Sequence, residues 1–331
     1  MRCVTDGRGS LMKQLRQYSR HIGQIASLAC YLFVGYILFR YFQDIEWSKL
    51  QRTHINWGVL GIACVAEFGT RLLLPGIWVF LLREFGQHIR DYWLMNAVYA
   101  KAWLGRYLPG KVAWVGGKIY FASKEGLDVT ILTLTSPLES VIQIIANLMV
   151  GLGFMMLFSP AALDRNMLAF AAASLAVLMG CTYPPLFNRL VRFAYKLLRK
   201  RELDVKYSLR LSTFWKTFLL FVGFSVASGV PFSLTCRAVV PDFDVMRHFF
   251  YIVGASTLSG AIGMLALFAP GGFGVREGAL AVFFAPLFSK ESALVIVILL
   301  RLLAVIGDLL FFAVSRVIVW LRARRERLQK S

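Results

Sequence analysis

Ala269-Pro270-Gly271-Gly272-Phe273-Gly274-Val275-Arg276-Glu277-Gly278 runs between strongly apolar stretches of the chain. Glycine weakens a helix through backbone entropy, and proline does so by lacking an N–H. An Arg-Glu pair beside them is expensive at membrane depth. In lipid, broken backbone is tolerated only where it is buried in protein or lines a wet cavity. The tract therefore reads as a site and not as a spacer.

The chain around it has 331 residues, of which 58% are hydrophobic, and a mean hydropathy of +0.62. Long apolar runs recur from Ile22 to the C-terminal region. This is the pattern of an all-α, polytopic integral membrane protein. Helices are expected at about 22–42, 57–82, 129–157, 166–187, 214–236, 249–268, 276–289 and 293–321. The first run is too long for a signal-peptide core and has no clear small-x-small cleavage site, so it reads as an uncleaved signal anchor. The seventh is too short for an ordinary span, which needs roughly 20 residues, and it reads as half of a re-entrant hairpin.

The formal net charge of +19 does not point to nucleic acid. Basic residues crowd into a few loops and both tails, as the positive-inside rule requires. They attract anionic headgroups at about 1 kcal/mol per surface Lys or Arg. The first tail carries Arg2, Arg8, Lys13, Arg16 and Arg20; the loop after the fourth helix is basic from Arg189 to Arg210; the last tail carries Arg322, Arg324, Arg325, Arg327 and Lys330. Eight crossings put all three on one side. The expected organisation is a basic cytoplasmic tail (1–21), one transmembrane domain (22–321) and a second basic cytoplasmic tail (322–331). Cys30, Cys64 and Cys181 lie in apolar spans and read as packing residues. The five cysteines form no C-x-x-C pair and the four histidines are scattered, so neither a metal nor another cofactor is expected.

A second unusual segment runs from about 89 to 127. It contains Trp103-Leu104-Gly105-Arg106-Tyr107-Leu108-Pro109-Gly110-Lys111, then Gly116-Gly117-Lys118. Aromatic, glycine-rich and basic, it fits an interfacial or re-entrant element. Such elements are expected near 97–123 and 260–289. The two tracts echo each other: each has Pro-Gly, further glycines, then a basic residue followed by Glu-Gly (Lys124-Glu125-Gly126 and Arg276-Glu277-Gly278). The echo reads as a weak internal repeat. Paired Gly/Pro-interrupted segments point to a transporter's binding site.

Several charges fall inside apolar helices. Glu67 and Arg71 are four apart on one face. Arg301 and Asp308 are seven apart, nearly two turns, and also share a face. Glu139, Gln143 and Asn147 form a polar stripe, with no cation local to Glu139. Each lone charge at mid-bilayer costs about 2.5–3.5 kcal/mol. These groups therefore face one another or a wet interior, either pinning the bundle or lining a path. Arg106, Lys111, Lys118 and Arg276 lie beside glycines, where exposed backbone N–H groups and a cation form an oxyanion cradle suited to a phosphodiester. The alternative for the lysines is ordinary loop charge. No P-loop or dinucleotide fingerprint is present. Asp44-Ile45-Glu46 is an acidic pair of the kind that membrane glycosyltransferases carry, and it also reads as a solvated loop.

Leu104-Gly105-Arg106-Tyr107-Leu108-Pro109-Gly110, Gly116-Gly117 and the tract from Pro270 to Gly278 resemble the lysylphosphatidylglycerol synthase transmembrane-region family, over roughly 20–320. Lys111 departs from the small or apolar residue expected there. The resemblance implies a flippase-like bacterial inner-membrane protein that moves a phospholipid between leaflets. It puts Arg106, Arg276 and Glu277 on the translocation path. The chain ends soon after its last helix, so a stand-alone member without the synthase domain is expected. The leading expectation is a lipid translocase rather than an enzyme. Its substrate would be an anionic, aminoacylated or polyprenyl-linked lipid. Arg106, Lys111, Lys118, Arg276 and Arg301 would hold phosphate. Glu67, Arg71, Glu139, Gln143, Glu277 and Asp308, with Pro109, Gly110, Pro270, Gly271, Gly272 and Gly274, would line the path. The alternatives are a membrane glycosyl- or headgroup transferase using Asp44 and Glu46, or a scaffold for a lipid- or glycan-synthesising enzyme.

Overall fold

The computed structural model describes residues 55–107, 112–159, 165–181, 209–266 and 269–330, with positions 183 and 189. The expected first helix, Asp44 and Glu46, the tract Pro109-Gly110-Lys111 and most of the basic loop after residue 187 lie outside the described residues. Nine α-helices are described: α1 (Trp57–Glu84), α2 (Tyr92–Trp103), α3 (Val112–Lys124), α4 (Val129–Phe158), α5 (Arg165–Cys181), α6 (Leu211–Val239), α7 (Val245–Leu265), α8 (Val275–Phe284) and α9 (Lys290–Lys330). Short 3-10 turns at Leu104–Tyr107 and Pro270–Gly272 follow α2 and α7. There is no strand among the described residues. Five helices, α1, α4, α6, α7 and α9, are long and apolar enough to cross a membrane. The chain is an all-α polytopic membrane protein.

Local signals set the starts of these helices. Asn56, Asp91, Asp128 and Asp244 each cap a helix by accepting from a backbone N–H of the first turn, a contact worth about 1 kcal/mol. Polarity is then inverted relative to a water-soluble protein. Ile62, Val65, Leu219, Leu302 and Leu309 are exposed, whereas Arg71, Glu139 and Asp308 are buried. Hydrocarbon outside and satisfied charge inside is what a bilayer solvent selects. Where α4 crosses α7, a Cβ on Gly151 would lie 2.8 Å from Leu258 Cβ, so the absence of a side chain is what lets the backbones approach.

The helix ends define two poles. At one, the Asn56 N–H donates to Ala238 O, joining the start of α1 to the end of α6. At the other, Thr213 Oγ1 donates to Glu84 Oε2, joining the end of α1 to the start of α6. The pair α2–α3 begins and ends at the Glu84 pole: Arg322 pairs with Asp91 there, and the Asp128 N–H donates to Gln87 Oε1. The pair α7–α8 begins and ends at the Asn56 pole, where the Phe243 and Phe288 rings pack at a tilt and Tyr251 donates to Phe283 O. The two hairpins therefore enter from opposite poles. Their tips meet, with Gly271 against Tyr107 and Arg301. The meeting point is level with Glu67, Arg71 and Asp308, midway along α1 and α9.

Candidate functional site

Asp308 is the hub where the first hairpin tip meets α1 and α9. Its Oδ1 accepts from Arg71 Nε at 2.7 Å and from Trp103 Nε1 at 2.9 Å. Its Oδ2 accepts from Tyr107 Oη at 2.6 Å and lies 3.6 Å from Arg106 Nη1. Arg71 also pairs with Glu67 through Nη2, the i,i+4 pair expected from the sequence. Arg106 in turn lies over the Trp103 ring at 4.5 Å, a cation–π contact that holds its planar head. Asp308 does not pair with Arg301, its neighbour on the same helix face. Its cations come from α1 and the first hairpin, because the tips supply guanidinium groups at that depth.

Glu139 and Lys118 form a second cluster, both fully buried. Lys118 Nζ lies 2.5 Å from Glu139 Oε2, and Tyr99 Oη donates to Oε1 at 2.9 Å. Trp114 and Tyr99 rings flank the ammonium at 4.7 and 5.1 Å. Lys118 is thus neither loop charge nor an exposed cradle. It is the cross-helix cation that Glu139 lacks locally, and a buried pair of this kind is tolerated because each charge neutralises the other.

The second tract turns sharply at its glycines. Gly271, Gly272 and Gly274 have φ of 59°, 73° and 80°, conformations open to glycine at little cost. A Cβ on Gly272 would come within 3.1 Å of Gly263 Cα, so the turn sits directly on α7. The turn delivers Gly274 as the N-cap of α8, whose N–H donates to Glu277 Oε2 at 2.7 Å. Glu277 Oε1 then takes Arg301 Nη1 at 3.2 Å. Arg301 also reaches Gly271 O at 3.4 Å, and so ties α9 to the tract.

Between these clusters lies a cavity of about 110 Å³. With each water taking about 30 Å³ in the liquid, it holds on the order of four waters. Its charged wall is Glu67, Arg71, Arg106 and Arg276; Trp103, Trp114, Phe224 and Phe232 supply aromatic surface. Gln143, Asn147, Ser228, Ser256 and Thr257 supply uncharged polar groups, and Gly271 brings backbone. Arg276 differs from its neighbours. Its guanidinium lies 5.5 Å from the Phe232 ring centre, and among the described residues no carboxylate or hydrogen-bonding group pairs with it. Two further groups on the wall, Trp114 Nε1 and Gln143 Oε1, are buried without a hydrogen-bond partner there. A buried polar group left unpaired costs about 1–3 kcal/mol. Those two atoms are enclosed by protein, whereas Arg276 is only half-buried and lines the cavity, so it is the group whose missing partner a ligand there can supply.

Of the residues singled out in the sequence, Glu67, Arg71, Arg106, Gln143, Gly271 and Arg276 converge on the cavity. Asp308 stands immediately behind it. Glu277 and Arg301 brace the second tip, Gly272 and Gly274 shape it, and Pro270 begins its 3-10 turn. Trp103, Trp114, Tyr107 and the hydroxyls of α6 and α7 were not singled out. Their signal was small polar residues inside an apolar helix, as in Ser256-Thr257-Leu258-Ser259-Gly260. Among the described residues no group of three metal-ligating side chains occurs.

Comparison with curated proteins gives no match. The family described as the lysylphosphatidylglycerol synthase TM region matches residues 24–311, a range that contains both hairpins and every wall of the cavity. The chain belongs to the lysylphosphatidylglycerol synthase transmembrane-region family.

Proposed function

We propose that the chain is a lipid translocase whose cavity receives the phosphate-bearing headgroup of a phospholipid or of a polyprenyl- or sugar-linked lipid while the acyl chains stay in hydrocarbon. The observation that carries this reading is Arg276, a cation with no ion-pair partner among the described residues, on the wall of a cavity at the level where two broken hairpins meet. A guanidinium recognises a phosphodiester with two parallel N–H donors. Fixed partners at mid-depth lower the cost of carrying a charged headgroup through the bilayer. The hairpins act as re-entrant elements, one from each side, as in transporters built around discontinuous helices. The chain resides in a bacterial inner membrane with both termini cytoplasmic and the Glu84 pole inside. That pole carries Arg83, Arg90, Lys124, Arg210, Arg322, Arg324 and Arg325 against Glu84, Asp91, Glu125 and Asp128, whereas at the Asn56 pole Arg237, Arg247 and Lys290 are matched by Asp242, Asp244 and Glu291.

The test is lipid movement in liposomes containing the purified full chain, followed by bleaching of a fluorescent phospholipid from the outer leaflet. Arg276→Gln is expected to slow exchange by about tenfold or more, the loss of one charge-assisted contact, with Arg276→Lys retaining part of the rate. Equal rates for wild type and Arg276→Gln, with both proteins folded, would refute the proposal.

A further inference from the structure

A second groove, of about 310 Å³, lies on the outer flank of the first hairpin, between α2, α3 and α9. Leu94, Ala97, Val98 and Val319 form its apolar wall, and Lys101, Lys124 and Arg316 are its cations. It shares no lining residue with the cavity between the tips. Its place in the bilayer follows from its neighbours. Trp93, Tyr120, Trp215 and Trp320 are exposed near the Glu84 pole, and exposed Trp and Tyr rings settle at headgroup level. Arg316 lies about 9 Å inside Arg322 along α9. The groove thus runs from the headgroup zone into hydrocarbon.

The three cations are held in place without being neutralised. Lys101 lies 4.1 Å over the Phe121 ring, and Lys124 lies 4.4 Å over the Tyr120 ring. These contacts orient the ammonium groups and leave donors for an anion. Lys101 sits deep in α2, yet its ammonium reaches Phe121, close to the end of α3, as a snorkelling lysine does. Arg316 is exposed, and among the described residues it has no ion pair or hydrogen bond. Glu125 also lines the groove, and among the described residues no ion pair joins it to any of the three cations. Cations facing hydrocarbon are costly unless an anion meets them.

We infer that this groove binds an anionic phospholipid of the leaflet at the Glu84 pole, one that stays in its leaflet and is not cargo. Its phosphate accepts from Lys124 and Arg316, with Lys101 beneath, and an acyl chain lies along Leu94, Val98 and Val319. Basic pockets between membrane helices recognise anionic headgroups in this way. The lipid joins what the protein leaves apart. Arg322 pairs with Asp91, and Asn96 Nδ2 donates to Ser315 Oγ, so α9 is tied to α2. Among the described residues no hydrogen bond or ion pair ties α9 to α3. A phosphate shared by Lys124 and Arg316 supplies that tie and braces the first hairpin from outside. This bracing is independent of what the cavity between the tips receives.

The experiment is thermal unfolding of the full chain in detergent micelles with added dioleoylphosphatidylglycerol, and with dioleoylphosphatidylcholine as the reference. The anionic lipid is expected to raise the wild-type midpoint by about 4 °C over the reference. Lys124→Gln combined with Arg316→Gln is expected to lose most of that difference. Lys101→Gln gives the same readout should the double variant fail to fold. Arg324→Gln combined with Arg325→Gln removes equal charge outside the groove and is expected to keep the difference. An undiminished shift in the Lys124 and Arg316 double variant overturns the site. So does a shift of the same size from glycerol 3-phosphate, which would make the groove a site for a free anion. Loss of the shift in Arg276→Gln, with the groove intact, would place the lipid in the cavity; it would overturn the groove site and leave the headgroup-site reading standing.

Discussion

Asp308 accepts from an arginine of α1 and from a tryptophan and a tyrosine of the first hairpin. Replacing it by Asn keeps the shape and removes the charge, so Arg71 and Arg106 face each other without their shared counter-ion. Breaking a buried pair in this way costs about 3–5 kcal/mol. Asp308→Asn should therefore unfold at a clearly lower temperature in detergent micelles; an unchanged midpoint would show that the hub is not structural. Glu139 and Lys118 allow a sharper comparison. Either Glu139→Gln or Lys118→Met alone strands a buried charge and should be strongly destabilising, whereas the double variant should recover most of the loss. Additive losses in the double variant would contradict the pairing. Only part of this was legible in the sequence. Glu67–Arg71 was readable because four residues is one helical turn. Lys118–Glu139 was not, because the partners are 21 residues apart on different helices and periodicity carries no information across helices.

For the helices, the sequence located most elements correctly because apolar length is a strong signal in a bilayer. Ends were less secure. The helix expected at 276–289 stops at Phe284, where the chain turns through Ala285 to Leu287 before α9. The helix expected at 166–187 is described to Cys181. The echo between the two glycine tracts was visible, but the opposite entry of the two hairpins follows from which helix ends meet, and that is a property of packing. The glycines of the second tip can be tested in pairs. Gly272→Ala places a Cβ at positive φ and against α7, so a loss of about 1–3 kcal/mol is expected. Gly278→Ala, within α8 and with open space around its Cβ, should be neutral or stabilise by up to about 1 kcal/mol. Equal thermal midpoints for the two variants would mean that the turn does not constrain the fold.

Across the whole molecule, the charge difference between the poles predicts the orientation proposed above. In cells carrying the chain with its native cysteines replaced, Asp244→Cys should react with a membrane-impermeant thiol reagent from outside, and Arg324→Cys should react only after lysis. The reverse labelling would invert the topology and, with it, the direction of headgroup entry. Composition and loop charge carry this expectation in the sequence, and the labelling tests it. The cavity is not legible there, since its walls come from α1, the first hairpin, α4, α6, α7 and the second tract, and no segment of chain reveals such an enclosure alone.

Two tips that touch halfway through the fold place the charges of the cavity at mid-depth. A charged headgroup that crosses there is carried through the electric potential across the membrane. One elementary charge moved through it gains or loses about 2.3 kcal/mol per 100 mV. For an anionic headgroup leaving the negative cytoplasmic side, the voltage assists departure. Collapsing the potential with a potassium ionophore should slow outward movement and leave inward movement no slower; equal outward rates with and without the potential would exclude it as the drive.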